Sequence, residues 1–301
     1  MGAEPGLDRV TLEALVRMSR PSHLLLITIV YGLGASIAIA RRAPVDSIQI
    51  ATGLLVLLPV AASVHYANEY ADHETDALTV RTPFSGGSGA LRDTGLDRSI
   101  AIWAASITIS LGLGFAVICL LHGYPMPALG VLTIGAIIGW QYSVPPLKLA
   151  WRGWGELDNA LAGGVVLPTY GYAASAGTVD PVVIVASIPF FALVFANLLD
   201  TTWPDRKADA QVGKATLATR WSRRRLRWLY LVAVGLWIGS TLALRGSILP
   251  PLVADAGLVV LPFVLWGYLR YTRSRTPFPT VAAMVLTAVI YLLAWSWVGL
   301  R

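Results

Sequence analysis

Long apolar stretches recur along nearly the whole chain, at roughly 21–41, 46–67, 99–122, 126–147, 156–178, 180–200, 226–246, 249–271 and 278–299. A helix needs about 20 such residues to cross the hydrocarbon core of a bilayer. The pattern therefore predicts nine transmembrane helices, an all-α membrane protein, and one domain over 1–301. Glycine and proline inside several stretches do not count against this, because membrane helices tolerate both. Only 13% of the residues are charged, where a soluble domain carries about 25%. A surface facing lipid explains the shortfall. The single cysteine, Cys119, lies inside an apolar run and excludes an internal disulfide. No conventional signal peptide is expected, since Glu4, Asp8 and Glu13 precede a first apolar run long enough to span.

The net charge of +6 follows membrane topology rather than nucleic-acid binding. Basic residues fall between the apolar stretches and form no groove-sized patch with interleaved aromatics. With nine spans, 19 of the 23 Lys and Arg residues lie on one side, leaving Arg41, Arg42, Arg245 and Arg301 on the other. The positive-inside rule then places the N-terminus in the cytoplasm and the C-terminus opposite, in a cell membrane. The two long connections, after the second and sixth spans, are both cytoplasmic, and long ordered connections are commonly functional.

Each long connection opens with a patterned acidic cluster. The first holds Asn68, Asp72 and Asp76, four residues apart, a spacing that stacks them on one helix face. Two carboxylates and an amide oxygen make a hard oxygen surface suited to Mg²⁺, with substrate phosphates completing the metal's shell. The second cluster repeats the spacing with Asp205 and Asp209, and Asn197 lies two helical repeats upstream. Pro204 predicts a break between Asn197 and that pair. Isolated carboxylates beyond a span are usually solvated loop charges. Like charges at i,i+4 destabilise a helix, however, and two such arrangements on the same side point to a compensating cation.

These residues resemble the UbiA superfamily of intramembrane prenyltransferases, which carries Asn-x-x-x-Asp-x-x-x-Asp after its second helix and Asp-x-x-x-Asp after its sixth. Asn68, Asp72 and Asp76 match the first motif, and Asp205 and Asp209 the second. The run Gly213-Lys214-Ala215-Thr216-Leu217 looks like the family's Gly-Lys-x-Thr-Leu stretch. Tyr142-Ser143-Val144-Pro145-Pro146-Leu147-Lys148 resembles the segment after the fourth helix, as does Arg152-Gly153-Trp154-Gly155-Glu156, and Arg20-Pro21 is similar to the entry to the first helix. The loop Arg81-Thr82-Pro83-Phe84-Ser85-Gly86-Gly87-Ser88-Gly89 is similar to that of menaquinone-type (1,4-dihydroxy-2-naphthoate) members, and Trp203-Pro204-Asp205 looks like the same wider branch. The chain departs from the haem-farnesylating and 4-hydroxybenzoate members, keeping only Arg81-Thr82 of their Arg-Thr-x-x-Arg-Pro run. The resemblance implies nine helices around a central cavity with a cytoplasmic cap, and a metal–diphosphate site built from both aspartate motifs.

The implied chemistry is Mg²⁺-dependent ionisation of a prenyl diphosphate and transfer of the prenyl group to a lipid-phase aromatic acceptor, a quinone precursor. Positive charge on the leaving diphosphate lowers that barrier. Two Mg²⁺ ions between Asp72/Asp76 and Asp205/Asp209 would supply it. Arg81, Lys148 and Lys214 are the candidates for phosphate contact, and Asn68 and Asn197 are candidate substrate-binding residues. The backbone of Ser85-Gly86-Gly87-Ser88-Gly89 can present N–H groups to phosphate or serve as a flexible linker. Tyr142 can face the allylic cation, orient the diphosphate, or simply anchor at the membrane interface. Glu156 and Asn159 either touch the acceptor or satisfy neighbouring helices, and His65 and His73 have no assigned role. Gly112, Gly114, Gly163 and Gly164 permit close helix packing or a tunnel for the prenyl chain.

Two other function classes compete. A UbiA-type terpene cyclase would consume the diphosphate with no acceptor. A polytopic transporter would use intramembrane carboxylates as an ion path, but here they sit at span ends beside basic residues. Nine spans exclude a soluble prenyl synthase, and the Asp-Gly-x-x-Ala-Arg pattern of CDP-alcohol phosphatidyltransferases is missing from the sequence.

Overall fold

The computed structural model describes residues 8–301; Glu4 lies outside them. The regular elements among these residues are helical, apart from isolated bridges between Thr82 and Ser85 and between Arg245 and Leu249. In chain order, α1 (Arg9–Met18) and α2 (Pro21–Ala40) lead to α3 (Ser47–Ala71), short α4 (His73–Leu78) and α5 (Ala90–Thr94), then α6 (Ser99–Leu121) and α7 (Met126–Ser143). Helix α8 (Gly155–Leu161) continues through a π turn (Ala162–Val166) into α9 (Leu167–Ala176), followed by α10 (Pro181–Thr201). Short α11 (Arg206–Gln211) and α12 (Leu217–Arg220) precede α13 (Arg223–Leu244), α14 (Pro251–Gly257), α15 (Leu261–Arg270) and α16 (Phe278–Leu300).

Several helices begin where a short polar side chain accepts from a first-turn amide or where a proline removes one of those amides. Asp8, Asp46 and Asp180 accept from Thr11 (2.7 Å), Ile48 (2.8 Å) and Val182 (2.9 Å) to cap α1, α3 and α10. Pro21, Pro181 and Pro251 are the first residues of α2, α10 and α14.

Among the described residues, seven helical runs are long and apolar enough to cross a membrane: Arg9–Ala40, Ser47–Ala71, Ser99–Leu121, Pro181–Thr201, Arg223–Leu244, Pro251–Arg270 and Phe278–Leu300. The two other predicted spans, 126–147 and 156–178, fall on α7 and on the α8–π–α9 run, both of them helical. Helix α7 has only 18 residues and ends in the polar sequence Trp140-Gln141-Tyr142-Ser143. The α8–π–α9 run opens with Glu156 and Asp158 and is divided by its π turn. Helix α6 has a mean hydropathy of 2.2 while only 17% of its best window is buried. An apolar helix with so little protein cover belongs against lipid.

Helix α3 packs on α6, α2 lies against α9 and α16, and α10 packs on α13. At the α2–α9 crossing a Cβ at Gly34 would come within 2.8 Å of the Tyr172 amide, and one at Gly171 would strike the Tyr31 carbonyl. Small residues let these two backbones touch, as in other membrane bundles. Of the four glycines left open between packing and a tunnel, Gly112 and Gly164 pack, since an added Cβ would meet Val60 and Phe191 at 2.6 Å. Gly114 and Gly163 have nothing within 4 Å.

Two clefts lie at opposite ends of the bundle. One of about 690 Å³ is lined by Glu69, Asp76, Arg81, Gly86, Gly89 and Arg98 among others. The other, about 290 Å³, lies where α2 and α16 end, beside Arg41, Arg42 and Trp295.

Candidate active site

Both acidic clusters emerge at the same end of the bundle. Helix α3 stops at Ala71, and Asp72 leaves the helical conformation (φ −96°, ψ 7°) before α4 begins. The turns nevertheless remain closed, with Asp72 N–H bonded to Asn68 O at 2.9 Å and Asp76 N–H to Asp72 O at 2.8 Å. The expected four-residue stacking is thus kept through a small break. Pro204 interrupts the second cluster as expected: α10 ends at Thr201, and Asp205 stands immediately before α11, which carries Asp209.

Lys214 joins the two clusters. Its buried ammonium donates to Asp72 Oδ2 at 2.8 Å and lies 3.9 Å from Asp209 Oδ1. Asp72 Oδ2 also accepts from Asn68 Nδ2 at 2.9 Å, and the same amide donates to Ser143 Oγ at 3.0 Å. Glu156, left open between two roles, belongs to the scaffold: its Oε1 accepts from the Leu217 amide at 3.1 Å and the Thr202 hydroxyl at 3.4 Å, fixing the segment that carries Lys214. Asn159 is exposed.

The glycine loop spans the clusters. Ser88 donates its amide (2.9 Å) and hydroxyl (2.7 Å) to the two oxygens of Glu69, which lies between Asn68 and Asp72 in sequence. The Ser85 hydroxyl and the Gly86 amide approach Asp205. Gly87 has φ +64°, and a Cβ there would collide with the Asp76 carboxylate. A residue with a side chain is excluded twice, by the left-handed backbone and by that contact. The loop is therefore part of the site's wall and not a free linker.

Arg20, noted in the sequence only for its resemblance, is a structural member of the site. It donates to Asn68 Oδ1 at 2.9 Å and to Glu69 Oε1 at 2.6 and 3.1 Å. Glu69 and Trp151 carried no assigned role. The Trp151 ring lies 5.0 Å from Lys148 Nζ and 5.9 Å from Lys214 Nζ, and its buried indole N–H has no partner among the described residues. No local spacing in the sequence singles out any of the three, because their partners come from other segments.

The remaining candidates stand at different distances from the carboxylates. Tyr142 closes α7 and interacts electrostatically with Lys214, Asp72, Glu156 and Asp209. Lys148 is half-buried over Trp151, in a left-handed backbone conformation (φ 46°). Arg81 is exposed on the large cleft that Asp76 also lines, 3.9 Å from Asp93. Asn197 is buried within α10, and its Oδ1 has no hydrogen-bond partner among the described residues. His73 lines the large cleft.

Burial dominates the electrostatics. It raises the pKa of Asp76 to about 8, with the Asp72 and Glu69 charges adding to it, and raises Asp205 to about 6 and Asp209 to about 7. For Lys214 burial acts downward, but Asp72, Tyr142 and Asp209 outweigh it and the net shift is upward.

The donor set fits Mg²⁺. Asp72, Asp205 and Asp209 each keep a buried Oδ1 with no hydrogen-bond partner among the described residues, and buried oxygens of this kind are normally satisfied. No three His, Cys, Asp or Glu side chains among the described residues converge to hold an ion unaided. That agrees with a metal bound through one or two carboxylates and completed by phosphate oxygens.

Fold and site together define an integral membrane enzyme with a polar site at one end of an apolar bundle. A sequence profile of the UbiA prenyltransferase family matches residues 25–284, and the chain belongs to that family. It is a prenyltransferase. It is similar to a protoheme IX farnesyltransferase of Opitutus terrae (26% identity over 260 residues, 84% of this chain and 83% of that one). It is also similar to the 1,4-dihydroxy-2-naphthoate octaprenyltransferase of Bacillus subtilis (25% over 206 residues, 68% of this chain and 65% of that one). The fold matches a UbiA homolog from Archaeoglobus fulgidus bound to GPP and Mg²⁺ with a TM-score of 0.71 at 19% identity, covering 96% of this chain and 100% of that one. An apo UbiA homolog from Aeropyrum pernix K1 matches with a TM-score of 0.71 at 13% identity, covering 94% and 99%.

Proposed function

We propose that this protein transfers a prenyl group from an allylic prenyl diphosphate to an electron-rich aromatic acceptor, a quinone precursor, within the membrane and with Mg²⁺. The carrying observation is the meeting of Asp72 and Asp209 on Lys214, with buried carboxylate oxygens left unpartnered around it. The Mg²⁺ and GPP named for the A. fulgidus homolog support the choice of metal and donor class. The proposal includes a single domain over 1–301 with nine spans, α7 and the α8–π–α9 run supplying the two beyond the seven, around a central cavity. It also includes a cytoplasmic cap and N-terminus with the C-terminus opposite, supported by the 19-to-4 division of the basic residues.

Asn68, Asp72, Asp76, Asp205 and Asp209 would between them hold two Mg²⁺ ions, each through one or two carboxylates with phosphate oxygens completing its shell. Bound there, Mg²⁺ supplies Lewis-acid charge to the diphosphate leaving group. Lys214, Lys148 and Arg81 would add charge around it, and the Trp151 N–H would be a further donor. The C1–O bond breaks with its electron pair on the diphosphate. A ring carbon of the acceptor then bonds to C1, and the ring sheds its proton to the released diphosphate. Tyr142 closes the site near the charged cluster, and the apolar helices keep water from the allylic cation. The glycine loop and Trp203-Pro204-Asp205 support a quinone precursor as acceptor through their likeness to the naphthoate branch, and the B. subtilis relative carries that acceptor in its name.

The test is diphosphate release from geranylgeranyl diphosphate in liposomes, with Mg²⁺ or EDTA and with or without 1,4-dihydroxy-2-naphthoate. Release requiring metal, acceptor, Asp72 and Asp205 is expected, with Asp72→Asn and Asp205→Asn each lowering it at least 100-fold. Metal-dependent release of the same size without acceptor would overturn the transfer reading in favour of a cyclase.

A further inference from the structure

His65 has no role in the chemistry above, yet it lies on the reactive stripe of α3. Positions 65, 68 and 72 are related by i, i+3 and i+7, so His65, Asn68 and Asp72 share one helix face. At 1.5 Å per residue His65 sits about 4.5 Å deeper along α3 than Asn68. That is the level just inside the bundle from the metal-binding carboxylates, where the reacting carbon of a donor and its acceptor would meet.

The ring is held in one state by its surroundings. His65 Nδ1 lies 2.8 Å from the carbonyl oxygen of Ser19. A carbonyl can only accept, so in the neutral imidazole Nδ1 carries the proton and Nε2 presents a lone pair. Among the described residues Nδ1 alone is hydrogen-bonded, and the side chain is only half-buried. The anchor is the residue before Arg20, which itself binds Asn68 and Glu69. His23 on α2 packs edge-on against the ring, with centroids 5.8 Å apart and planes at 75°. Nε2 is thus left as a fixed, unpartnered hydrogen-bond acceptor, among the described residues, on a side chain that shares its helix face with Asn68 and Asp72.

We infer that His65 Nε2 binds the aromatic acceptor by accepting a hydrogen bond from its ring hydroxyl. This rests on the prenyl-transfer reading above and deepens it by naming a residue that selects the acceptor. A phenol donating to imidazole gains phenolate character, which raises electron density at the ring carbons beside it and favours capture of a cation. The site thereby discriminates for hydroxylated rings, because a bound acceptor lacking the hydroxyl covers the Nε2 lone pair without meeting it.

The test uses the full-length protein in liposomes with Mg²⁺, geranylgeranyl diphosphate and 1,4-dihydroxy-2-naphthoate. His65→Asn keeps a donor for Ser19 O at the height of Nδ1 but removes Nε2. It is expected to raise the acceptor KM at least tenfold while donor KM and Mg²⁺ half-saturation stay within twofold. His65→Gln, which offers an amide oxygen near the position of Nε2, should recover at least part of that loss. A second measurement needs no variant: the wild-type protein should bind the 1,4-dimethoxy analogue at least tenfold more weakly than the dihydroxy compound. Equal binding of the two would overturn the inference, as would an unchanged acceptor KM in His65→Asn or a parallel rise in both KM values. If wild-type diphosphate release does not depend on acceptor at all, prenyl transfer itself fails, and that result is distinct from any of these.

Discussion

The Lys214 ammonium donates a 2.8 Å hydrogen bond to Asp72, a residue 142 positions earlier in the chain, and both side chains are about nine-tenths buried. This contact ties the end of α3 to the segment after α11, and so ties the two halves of the bundle together where the site lies. Lys214 supplies the positive charge that the carboxylates need in the metal-free protein.

Lys214→Met tests that role. Removing one partner of a buried pair leaves an uncompensated charge and costs about 3–5 kcal/mol. The metal-free variant should therefore unfold several degrees below wild type in a thermal scan in detergent. Adding Mg²⁺ with diphosphate returns a cation to Asp72 and Asp209, so it should stabilise the variant more than the wild type. An equal increment in both proteins would show that Lys214 is not the counter-charge of these carboxylates.

The aspartate spacing was readable because it is local: Asn68, Asp72 and Asp76 define their own stripe, as do Asp205 and Asp209. The break at Pro204 was readable for the same reason. The charge of Lys214 within Gly213-Lys214-Ala215-Thr216-Leu217 marks it as a phosphate candidate, but its pairing with Asp72 depends on how distant helices pack, and no spacing encodes that. The same holds for Glu69, whose partners Arg20 and Ser88 come from two other segments. Arg81 and Lys148 show the converse. Their charge and position after a span mark them as phosphate candidates, but their neighbours are set by the chain's path: Arg81 is exposed near Asp93 on the cleft that Asp76 lines, and Lys148 lies over the Trp151 ring that Lys214 also approaches. The two spans that fall short of the seven are those whose apolar runs are interrupted by polar residues or by the π turn at Gly163 and Gly164.

The carboxylates predict a definite pH dependence. Burial raises Asp76, Asp209 and Asp205 to about 8, 7 and 6 from an ordinary value of 3.8. The metal-free folded protein then binds more protons than the unfolded chain, so these groups make its stability fall as pH rises from about 4 to about 8. Mg²⁺ takes the ionised form, so its affinity should rise through the same window and binding should release protons. Calorimetry at pH 6.5 in buffers of different ionisation enthalpy measures that release. Metal binding with no proton released would mean that the carboxylates are already ionised.

Gly87 and Gly95 form a matched pair for separating strain from catalysis. Both have a left-handed backbone, at φ +64° and +69°, but a Cβ at Gly95 meets nothing within 4 Å while one at Gly87 meets the Asp76 carboxylate. Alanine at either position should cost about 1–2 kcal/mol of stability through the backbone alone. Only Gly87→Ala displaces Asp76, so it alone should lower kcat/KM for the prenyl diphosphate, by about 100-fold or more. Equal activities for the two variants would place Asp76 outside the working site.

Glu69 holds the loop by two different kinds of contact, which two substitutions can separate. Its carboxylate accepts from the Arg20 guanidinium at 2.6 and 3.1 Å and from the Ser88 amide and hydroxyl at 2.9 and 2.7 Å. Glu69→Gln keeps an oxygen for Arg20 and the Ser88 amide, and its NH₂ group can donate to the Ser88 hydroxyl once that rotates. The loss is then mainly of charge, about 1.5–3 kcal/mol for bonds to an ionised group. Glu69→Ala strands a half-buried guanidinium and a buried amide, and should cost about 3–5 kcal/mol. The loop carrying Gly86 and Gly87 would lose its anchor in the second case only. Arg81 is exposed within that loop, so tryptic cleavage after Arg81 should accelerate at least tenfold in Glu69→Ala and less than threefold in Glu69→Gln. Cleavage at the wild-type rate in both would mean that contacts elsewhere, such as those of Ser85 and Gly86 with Asp205, hold the loop without Glu69.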